Sequence, residues 1–268
     1  MATAEVGVFG GSGFYSFLDD VEEVVIDTPY GAPSAPLAIG RIAERTVAFL
    51  PRHGRHHELP PHRVNYRANA WAMRELGVTR VFGPCAAGSL QRHVAPGDVV
   101  VCDQLVDRTW GRPDTFFDGP HVVHVSFADP YCPELRASAV AAAAANDVPA
   151  HDGGTVVVVQ GPRFSTRAES GWYRSQGWEI INMTQHPEAY LARELGMCYA
   201  AIGLVTDYDV GIDGVEPVAM EEVLRFFDAN LDGLRSLLVT AIEQVPATRR
   251  CACADATGGV AATVRETP

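Results

Sequence analysis

The 268-residue sequence lacks the features of membrane, secreted and nucleic-acid-binding proteins. It has no apolar run approaching the roughly 20 residues of a membrane-spanning helix. Its first residues, from Met1 to Val6, contain no basic region followed by an apolar core, so we expect no signal peptide and a cytoplasmic location. Positive charge is scarce, because 21 basic residues face 33 acidic ones and leave a net charge of −12. We therefore expect neither a membrane nor a nucleic acid as partner, although a few arginines could still bind a small anion.

The cysteines lack the spacing of a zinc finger, so we expect no metal. Cys85, Cys102 and Cys198 stand in apolar stretches, which predicts buried thiols. Cys251 and Cys253 form a CxC pair near the end of the chain, where a redox or disulfide role stays open.

No internal repeat and no linker divides the chain. We predict one domain over residues 1–246, followed by a tail over 247–268. The tail is rich in Ala, Thr, Gly and Arg, a composition that predicts disorder.

The pattern of apolar residues predicts alternating strands and helices. We expect strands at residues 6–9, 37–39, 47–50, 78–82, 99–102, 155–159, 179–182 and 198–205. We expect helices at residues 64–76, 135–145, 167–176, 187–195 and 220–245. This order is typical of an α/β fold in which helices cover a parallel or mixed sheet. The stretch 108–131 shows no period and is rich in Pro, Gly and aromatics, which predicts a long functional loop.

Two acidic residues follow the last predicted strand. The small apolar run 201–205 ends in Asp207 and Asp209, which are two positions apart and would point the same way on a strand. In an open α/β sheet, ligands bind at this end of the strands. Buried acids must be paired, hydrogen-bonded or protonated. The pair could bind a heterocycle and give it a proton, and a surface turn after the strand is the alternative.

Groups that can bind an anion follow two of the early strands. Gly10–Gly13 is typical of a phosphate-cradling loop, and a plain tight turn fits it equally well. It is a poor dinucleotide fingerprint, because no long helix is predicted after it. Arg52–His57 offers donors to an anion if the histidines are suitably protonated, with a solvated basic loop as the alternative.

Three more predicted strand ends carry groups suited to a ligand. Cys85–Ser89 is made of small residues that let a ligand approach the backbone. Gln160–Thr166 supplies an aromatic ring and hydroxyls, and Asn182–Thr184 supplies further polar groups. Since such groups recur at equivalent strand ends, the sequence predicts a single small-molecule site there.

Taken together, these segments resemble the 5′-methylthioadenosine phosphorylases of the trimeric purine nucleoside phosphorylase family. The resemblance runs from residue 6 to about residue 245. Its pieces, in chain order, are Gly10–Gly13, Arg52–His57, Val64–Asn69, Gly88–Leu90, Pro96–Asp98, Asp103–Thr109, Gly161–Ser165, Asn182–Thr184, Pro187-Glu188 and Thr206–Asp209. It implies a single-domain nucleoside phosphorylase fold, with a mixed central β-sheet or distorted barrel flanked by helices. It also implies a homotrimer with active sites between subunits, inorganic phosphate as co-substrate, and no metal or other cofactor.

The resemblance also assigns roles to individual residues. It implies that phosphate is bound by Ser12, Arg52, His53, Cys85, Ala86 and Thr184. It implies that the nucleoside is bound by Phe164, Asn182, Met183, Met220, Val223, Phe227 and His124, with His124 coming from a neighbouring subunit. A threonine is common in the family where this chain has Cys85, and a thiol is the weaker donor.

The activity implied is phosphorolysis of 5′-methylthioadenosine to adenine and 5-methylthioribose 1-phosphate. Asp209 is the candidate acid for N7 of the purine, and Asp207 would support either the contact with the 6-amino group or Asp209 itself. A carboxylate accepts from that amino group but would repel the O6 of hypoxanthine. The alternatives are a 6-oxopurine or methylthioinosine phosphorylase and a nucleotide-binding sensor protein. A dinucleotide oxidoreductase is disfavoured, because the glycine loop lacks its following helix and acid.

Overall fold

A computed structural model describes residues 3–10, 19–120, 122–210, 212, 214 and 218–257 of the chain. Within these residues, eleven strands form a mixed sheet that is flanked by five α-helices. The strands are β1 Val6–Gly10, β2 Asp19–Val24, β3 Leu37–Ile42, β4 Arg45–Pro51, β5 Arg80–Ser89, β6 Val99–Val101, β7 Gln104–Arg108, β8 Ala150–Asp152, β9 Thr155–Val159, β10 Ile180–Asn182 and β11 Cys198–Tyr208. The helices are α1 Tyr66–Glu75, α2 Pro133–Ala145, α3 Arg167–Ser175, α4 Gln185–Glu194 and α5 Met220–Glu243. The predicted α/β fold with a mixed sheet is confirmed.

Strand β5 organises the sheet, because it pairs with three other strands. It runs parallel to β1 at its start and parallel to β11 along its whole length. Near its end it pairs antiparallel with β10, which continues into β9 and β7. On the other side, β1 pairs in parallel with β4. Since β1, β4, β5 and β11 all point the same way, their carboxyl ends lie at one edge of the sheet, as the sequence predicted for a ligand site.

Two large apolar clusters hold the helices against the sheet. One contains α1 and α4, with Met73 and Leu191 fully buried. The other contains α2 and α5, in which Ala139 and Ala142 pack in the same cluster as Leu237. The small alanine side chains of α2 leave room for the larger residues of α5, so the two helices bury a common core.

Local sequence signals explain where two of the helices begin. The side chain of Asn65 accepts a hydrogen bond from the N–H of Ala68 and caps α1. Thr166 and Glu169 form a reciprocal capping box at the start of α3. All five predicted helices are present, although their ends differ from the prediction by one or two residues.

The prediction missed three strands and ended several others too early, β5 most of all. β2 and β7 are rich in polar residues, so they lack the apolar pattern of a buried strand. The third, β8, has only three residues, and none of them is buried. β5 continues through Gly83 and Pro84 to residue 89, beyond the predicted end at residue 82, because β11 pairs with it over that stretch.

Residues 247–257 of the tail pack against the rest of the chain, where the composition predicted disorder. Cys253 is buried within the cluster of α2 and α5. The Arg249 Nη1 atom donates a hydrogen bond to the carbonyl of Gly196 over 2.9 Å. The rest of the predicted tail, residues 258–268, lies outside the described residues. Among the helices described, none combines the length and apolarity needed to cross a membrane.

Candidate active site

A cavity of about 560 Å³ opens where several strands end at one edge of the sheet. Its volume falls in the range of pockets that bind small molecules. Its lining comes from the last parts of β5, β9, β10 and β11, from the segments that follow β4, β9, β10 and β11, and from the first turns of α5. From the predicted site it includes Arg52, His53, Cys85, Ala86, Phe164, Asn182, Met183, Thr184, Asp207, Asp209, Met220, Val223 and Phe227. Among the described residues, the fold thus brings together every predicted site residue except His124.

The outcome for the other two predicted residues is different. Ser12 lies outside the described residues, so its phosphate contact stays a prediction. His124 is exposed and does not line the cavity of the single chain. Its predicted role in a neighbouring subunit's site also stays a prediction.

At one end of the cavity, Arg52 is buried and held by hydrogen bonds on almost every side. Its Nη2 atom donates to Glu188 Oε2 and to the carbonyl of Phe9, each over 2.9 Å. Its Nη1 atom donates to the carbonyl of Pro84 over 3.2 Å, and its Nε atom donates to Glu188 Oε1. The Tyr199 hydroxyl donates to Glu188 Oε2 over 2.8 Å. A guanidinium has five N–H groups, so these contacts leave one, on Nη1, to bind a ligand.

The ion pair with Glu188 keeps the guanidinium of Arg52 positively charged. Burial by itself favours the neutral form, but the negative charge and hydrogen bonds of Glu188 outweigh that effect and raise the pKa of Arg52 above its usual value. Sequence analysis had quoted Glu188 only as part of a matching motif and gave it no role. Its place after Pro187, within the matched Pro-Glu pair, was the available signal.

His53 next to Arg52 is neutral, and its hydrogen bond sets its tautomer. Its Nδ1 atom lies 2.8 Å from the carbonyl oxygen of Leu59, which can only accept, so the proton is assigned to Nδ1. Burial and the charge of Arg52 lower the pKa of His53 to about 3. Nε2 is therefore an acceptor, in contrast to our expectation that these histidines could donate to an anion. The His53 ring stacks on His57, with 4.4 Å between ring centroids.

Cys85 lies between two amide side chains. Its Sγ atom accepts hydrogen bonds from Asn182 Nδ2 over 3.3 Å and from Gln185 Nε2 over 3.6 Å. Burial raises the pKa of the Cys85 thiol, so the group is neutral and a weak donor. Asn182 Oδ1 is buried and has no hydrogen-bond partner among the described residues. This leaves an acceptor in the cavity wall that a ligand hydroxyl or amine could satisfy.

Asp207 lies in the last part of β11, and Asp209 directly follows the strand. The pairing of β11 with β5 shifts register between Val205 and Asp207. The N–H of Asp209 donates to the carbonyl of Ser89 over 2.9 Å. A Cβ atom added to Gly88 would come within 3.1 Å of Asp207 Oδ1 and within 3.4 Å of the Cβ of Asp209. Glycine at position 88 therefore gives both acids room beside β5, and the alternative of a surface turn is wrong.

Both acids have environments that favour the protonated form. Burial raises the pKa of Asp207 to about 6, the charge of Asp209 acts in the same direction, and a hydrogen bond of 2.7 Å from the Thr206 hydroxyl opposes it. Burial also raises the pKa of Asp209, although the nearby Ser170 hydroxyl opposes the rise. Asp209 is only 4% exposed, and its Oδ2 atom has no hydrogen-bond partner within the described part of the chain. The pair can hold a proton close to neutral pH, where general acids work best.

The remaining walls of the cavity are largely apolar. Phe164 and Met183 line it from the ends of β9 and β10. Met220, Val223 and Phe227 line it from one face of α5, as their helical spacing allows. A flat ring and an apolar substituent can therefore be enclosed together with an anion.

Comparison with known proteins agrees with this geometry. The family model described as "Phosphorylase superfamily" matches residues 5–243. The chain belongs to this family.

Members of the phosphorylase superfamily with similar sequences cover almost the whole chain. A "Purine nucleoside phosphorylase" of Streptomyces coelicolor is 58% identical, over 96% of this chain and 95% of its own. An "S-methyl-5′-thioadenosine phosphorylase" of Mycolicibacterium smegmatis is 56% identical, over 92% of this chain and 93% of its own. The crystal structure of a methylthioadenosine phosphorylase from an antarctic soil metagenomic library superposes with a TM-score of 0.91 at 39% identity, covering 96% of this chain and 92% of that one.

Proposed function

We propose that this phosphorylase cleaves 5′-methylthioadenosine with inorganic phosphate and releases adenine and 5-methylthioribose 1-phosphate. The observation that carries the proposal is the cavity in which Asp207 and Asp209, both with a raised pKa, share one enclosure with Arg52. The names of the M. smegmatis and metagenomic relatives support this substrate.

In the proposed reaction, the bond between C1′ and N9 stretches first and leaves an oxocarbenium-like sugar. The bonding electrons pass to the departing adenine, and the neutral carboxyl of Asp209 donates its proton to N7. Phosphate then attacks C1′ and completes the sugar phosphate. No protein nucleophile is needed, because phosphate itself forms the new bond.

Phosphate would be bound at the Arg52 end of the cavity. Arg52 offers one N–H of its charged guanidinium, and the Thr184 hydroxyl lies in the same wall. His53 Nε2 would accept a hydrogen bond from a protonated oxygen of phosphate, because its pKa is too low for it to donate. This arrangement favours the monoprotonated anion, which has both kinds of oxygen.

The face of α5 would bind the methylthio group. Met220, Val223 and Phe227 present apolar surface, so a 5′ thioether would be stabilised there more than a 5′ hydroxyl. Phe164 would pack against the purine and Met183 against the ribose. The reaction would use no cofactor besides the co-substrate phosphate.

We further propose a cytoplasmic homotrimer in which His124 reaches the cavity of a neighbouring subunit. In support, His124 belongs to the same long loop as Trp110 and Val122, which are 73% and 71% exposed. Such side chains suit a subunit interface. Light scattering in solution tests the trimer, and a His124→Ala variant that loses affinity for nucleoside but not for phosphate would support the shared site.

A 6-oxopurine nucleoside phosphorylase is a second candidate, because the S. coelicolor relative carries the broader name. A protonated Asp207 or Asp209 could donate to O6, so the acids alone do not decide the base. The geometry favours an aminopurine if one carboxyl is ionised and accepts from the 6-amino group.

One assay separates these possibilities. Release of free base is measured with and without phosphate for methylthioadenosine, adenosine and methylthioinosine. We expect phosphate-dependent release of adenine that is fastest from methylthioadenosine. Faster cleavage of methylthioinosine would support the 6-oxopurine function, and binding without phosphate-dependent turnover would indicate a sensor protein.

A further inference from the structure

Four cysteines converge at a place distinct from the active-site cavity. The Sγ atoms of Cys132, Cys198, Cys251 and Cys253 all lie within 4.8 Å of one another. All four are free thiols, three of them buried and Cys251 partly exposed. None of them lines the cavity, so the proposed reaction gives no reason for their meeting.

The fold brings these thiols together from three separate parts of the chain. Cys132 is the N-cap of α2, and its N–H donates to the carbonyl of Tyr199 over 2.8 Å. Cys198 is the first residue of β11. Cys251 and Cys253 come from the tail, one before and one within a short 3₁₀ turn. The CxC pair, which is too short for finger-like spacing, is completed by residues more than fifty positions away along the chain.

Further contacts fix the tail in this position. Arg249 donates to the carbonyl of Gly196, and the N–H of Arg250 donates to Glu134 Oε1 over 2.8 Å. Arg249 and Arg250 immediately precede the CxC pair, while Gly196 and Glu134 each lie two positions from one of the other two cysteines. These two hydrogen bonds hold the tail against the start of α2 and against the turn before β11. The backbone that carries the four sulfur atoms is therefore fixed.

We propose that these four cysteines form a structural zinc site. A zinc ion bound by four thiolates at about 2.3 Å places neighbouring sulfurs roughly 3.8 Å apart in a tetrahedron. Mutual separations of at most 4.8 Å, with 3.4 Å between Cys198 and Cys251, fit that arrangement after small side-chain movements. A soft, tetrahedral set of four sulfurs selects zinc over magnesium or calcium.

The surroundings suit the charge of such a site. Binding Zn²⁺ by four thiols releases four protons and leaves a net charge of −2 at the metal. The N-terminus of the 13-residue helix α2 lies at Cys132, where its dipole favours thiolate. Partial exposure of Cys251 leaves a route by which the ion can enter.

The proposed zinc would join the tail to the start of β11, the strand that ends in Asp207 and Asp209. Its effect is on stability rather than on chemistry, so it is independent of the proposed function. Loss of the ion should lower the melting temperature while leaving the phosphate-dependent reaction intact at lower temperature.

The test measures metal in the full-length protein purified with a thiol reductant and without a chelator. We expect about one zinc per chain by elemental analysis. Cys251→Ser and Cys253→Ser should each lower that content at least tenfold, whereas Cys102→Ala, which alters a buried thiol outside the cluster, should keep it. Replacing zinc by Co²⁺ should give the intense visible bands of tetrahedral cobalt thiolate in the wild type and in Cys102→Ala only.

Two results on the wild-type protein would overturn the proposal without depending on a variant that folds. The first is a mass under denaturing, non-reducing conditions that shows disulfides among the four cysteines in protein without metal. The second is four reactive thiols that take up neither Zn²⁺ nor Co²⁺ at micromolar concentration. A zinc content of one per chain that survives in both serine variants would also place the ion elsewhere.

Discussion

The two ends of the cavity satisfy their polar groups in opposite ways. At the Arg52 end, the protein itself supplies the partners, since Glu188 and two backbone carbonyls occupy most of the guanidinium. At the acid end, Asp209 Oδ2 is buried without a partner among the described residues. The first end is therefore preorganised before any ligand arrives, whereas the second depends on hydrogen bonds from the ligand.

This difference indicates where the specificity of the site resides. A buried polar atom that only the correct ligand can satisfy discriminates strongly against ligands that cannot, because a mismatch leaves it unpaired. The Arg52 end can bind any suitably sized oxyanion with little rearrangement. We therefore expect the choice of base to be made at Asp207 and Asp209, and changes there to affect turnover more than phosphate binding.

The largest expected effect is that of Asp209→Asn. Asparagine keeps the shape but cannot donate a carboxylic proton to N7, so we expect kcat on methylthioadenosine to fall by about 10²- to 10⁴-fold. The dissociation constant for phosphate should change less than about threefold, because Arg52 and His53 keep their contacts. Steady-state kinetics and calorimetric titration with phosphate measure the two quantities.

The matched control for this variant is Asp228→Asn. Asp228 also lines the cavity but belongs to α5 and has no part in the proposed proton transfer. Its replacement should change kcat far less. Wild-type kcat in Asp209→Asn would exclude Asp209 as the acid.

Most of the fold and the position of the cavity could be predicted from local patterns in the sequence, whereas the roles of individual cavity residues were implied by the resemblance to a known family. Buried strands and amphipathic helices repeat apolar residues at fixed periods, and small or polar residues mark the strand ends. The strands that were missed, such as β2, are polar and gain their structure from pairing with a neighbour. Pairing partners are distant in sequence, so no local pattern shows them.

The details of the site were less accessible for the same reason. The partnership of Arg52 with Glu188 spans 136 positions, and the tautomer of His53 depends on a carbonyl whose position only the fold determines. The convergence of four cysteines was invisible in their spacing. Sequence analysis selected residue types suited to the chemistry, but not the contacts that set their protonation states.

The next largest effect should come from breaking the buried ion pair with Glu188→Ala. Arg52 would then be left as a buried charge with only carbonyl partners, which costs about 3–5 kcal/mol in the free energy of unfolding. Urea denaturation measures this loss.

A matched exposed pair provides the control for Glu188→Ala. Arg41 and Glu44 form an ion pair at 3.4 Å in which the side chain of Glu44 is 98% exposed. Glu44→Ala should cost less than about 1 kcal/mol. Equal losses in the two variants would show that the Arg52 end is not specially constrained.

A smaller effect is expected from the pH dependence of stability in Asp207→Asn. The pKa of Asp207 is raised to about 6 in the folded protein from 3.8 in the unfolded chain, so the stability contribution of its protonated form is lost as pH rises between these values. Asparagine is neutral throughout. The variant should therefore gain on the order of 2 kcal/mol relative to the wild type between pH 4 and pH 7.

Chemical denaturation at the two pH values measures this gain. Asp232→Asn, at a side chain that is 96% exposed, is the control and should show no comparable gain. A difference between Asp207→Asn and wild type that is the same at both pH values would mean that the pKa of Asp207 is not raised in the folded protein, and the account of a protonated pair would fail.

The smallest effect is expected from Cys85→Thr, which tests whether a stronger hydrogen-bond donor at position 85 improves phosphate binding at the Arg52 end. In Cys85→Thr, a hydroxyl replaces a thiol that is a weak donor, so one stronger hydrogen bond to phosphate becomes possible. A net gain of about 1 kcal/mol corresponds to roughly a fivefold lower KM for phosphate. Cys85→Val is the matched control, since valine has the shape of threonine without its hydroxyl and should raise that KM or leave it unchanged. If both variants behave alike, the residue at position 85 acts through packing against Asn182 and Gln185, and phosphate binding at this end rests on Arg52 and its neighbours alone.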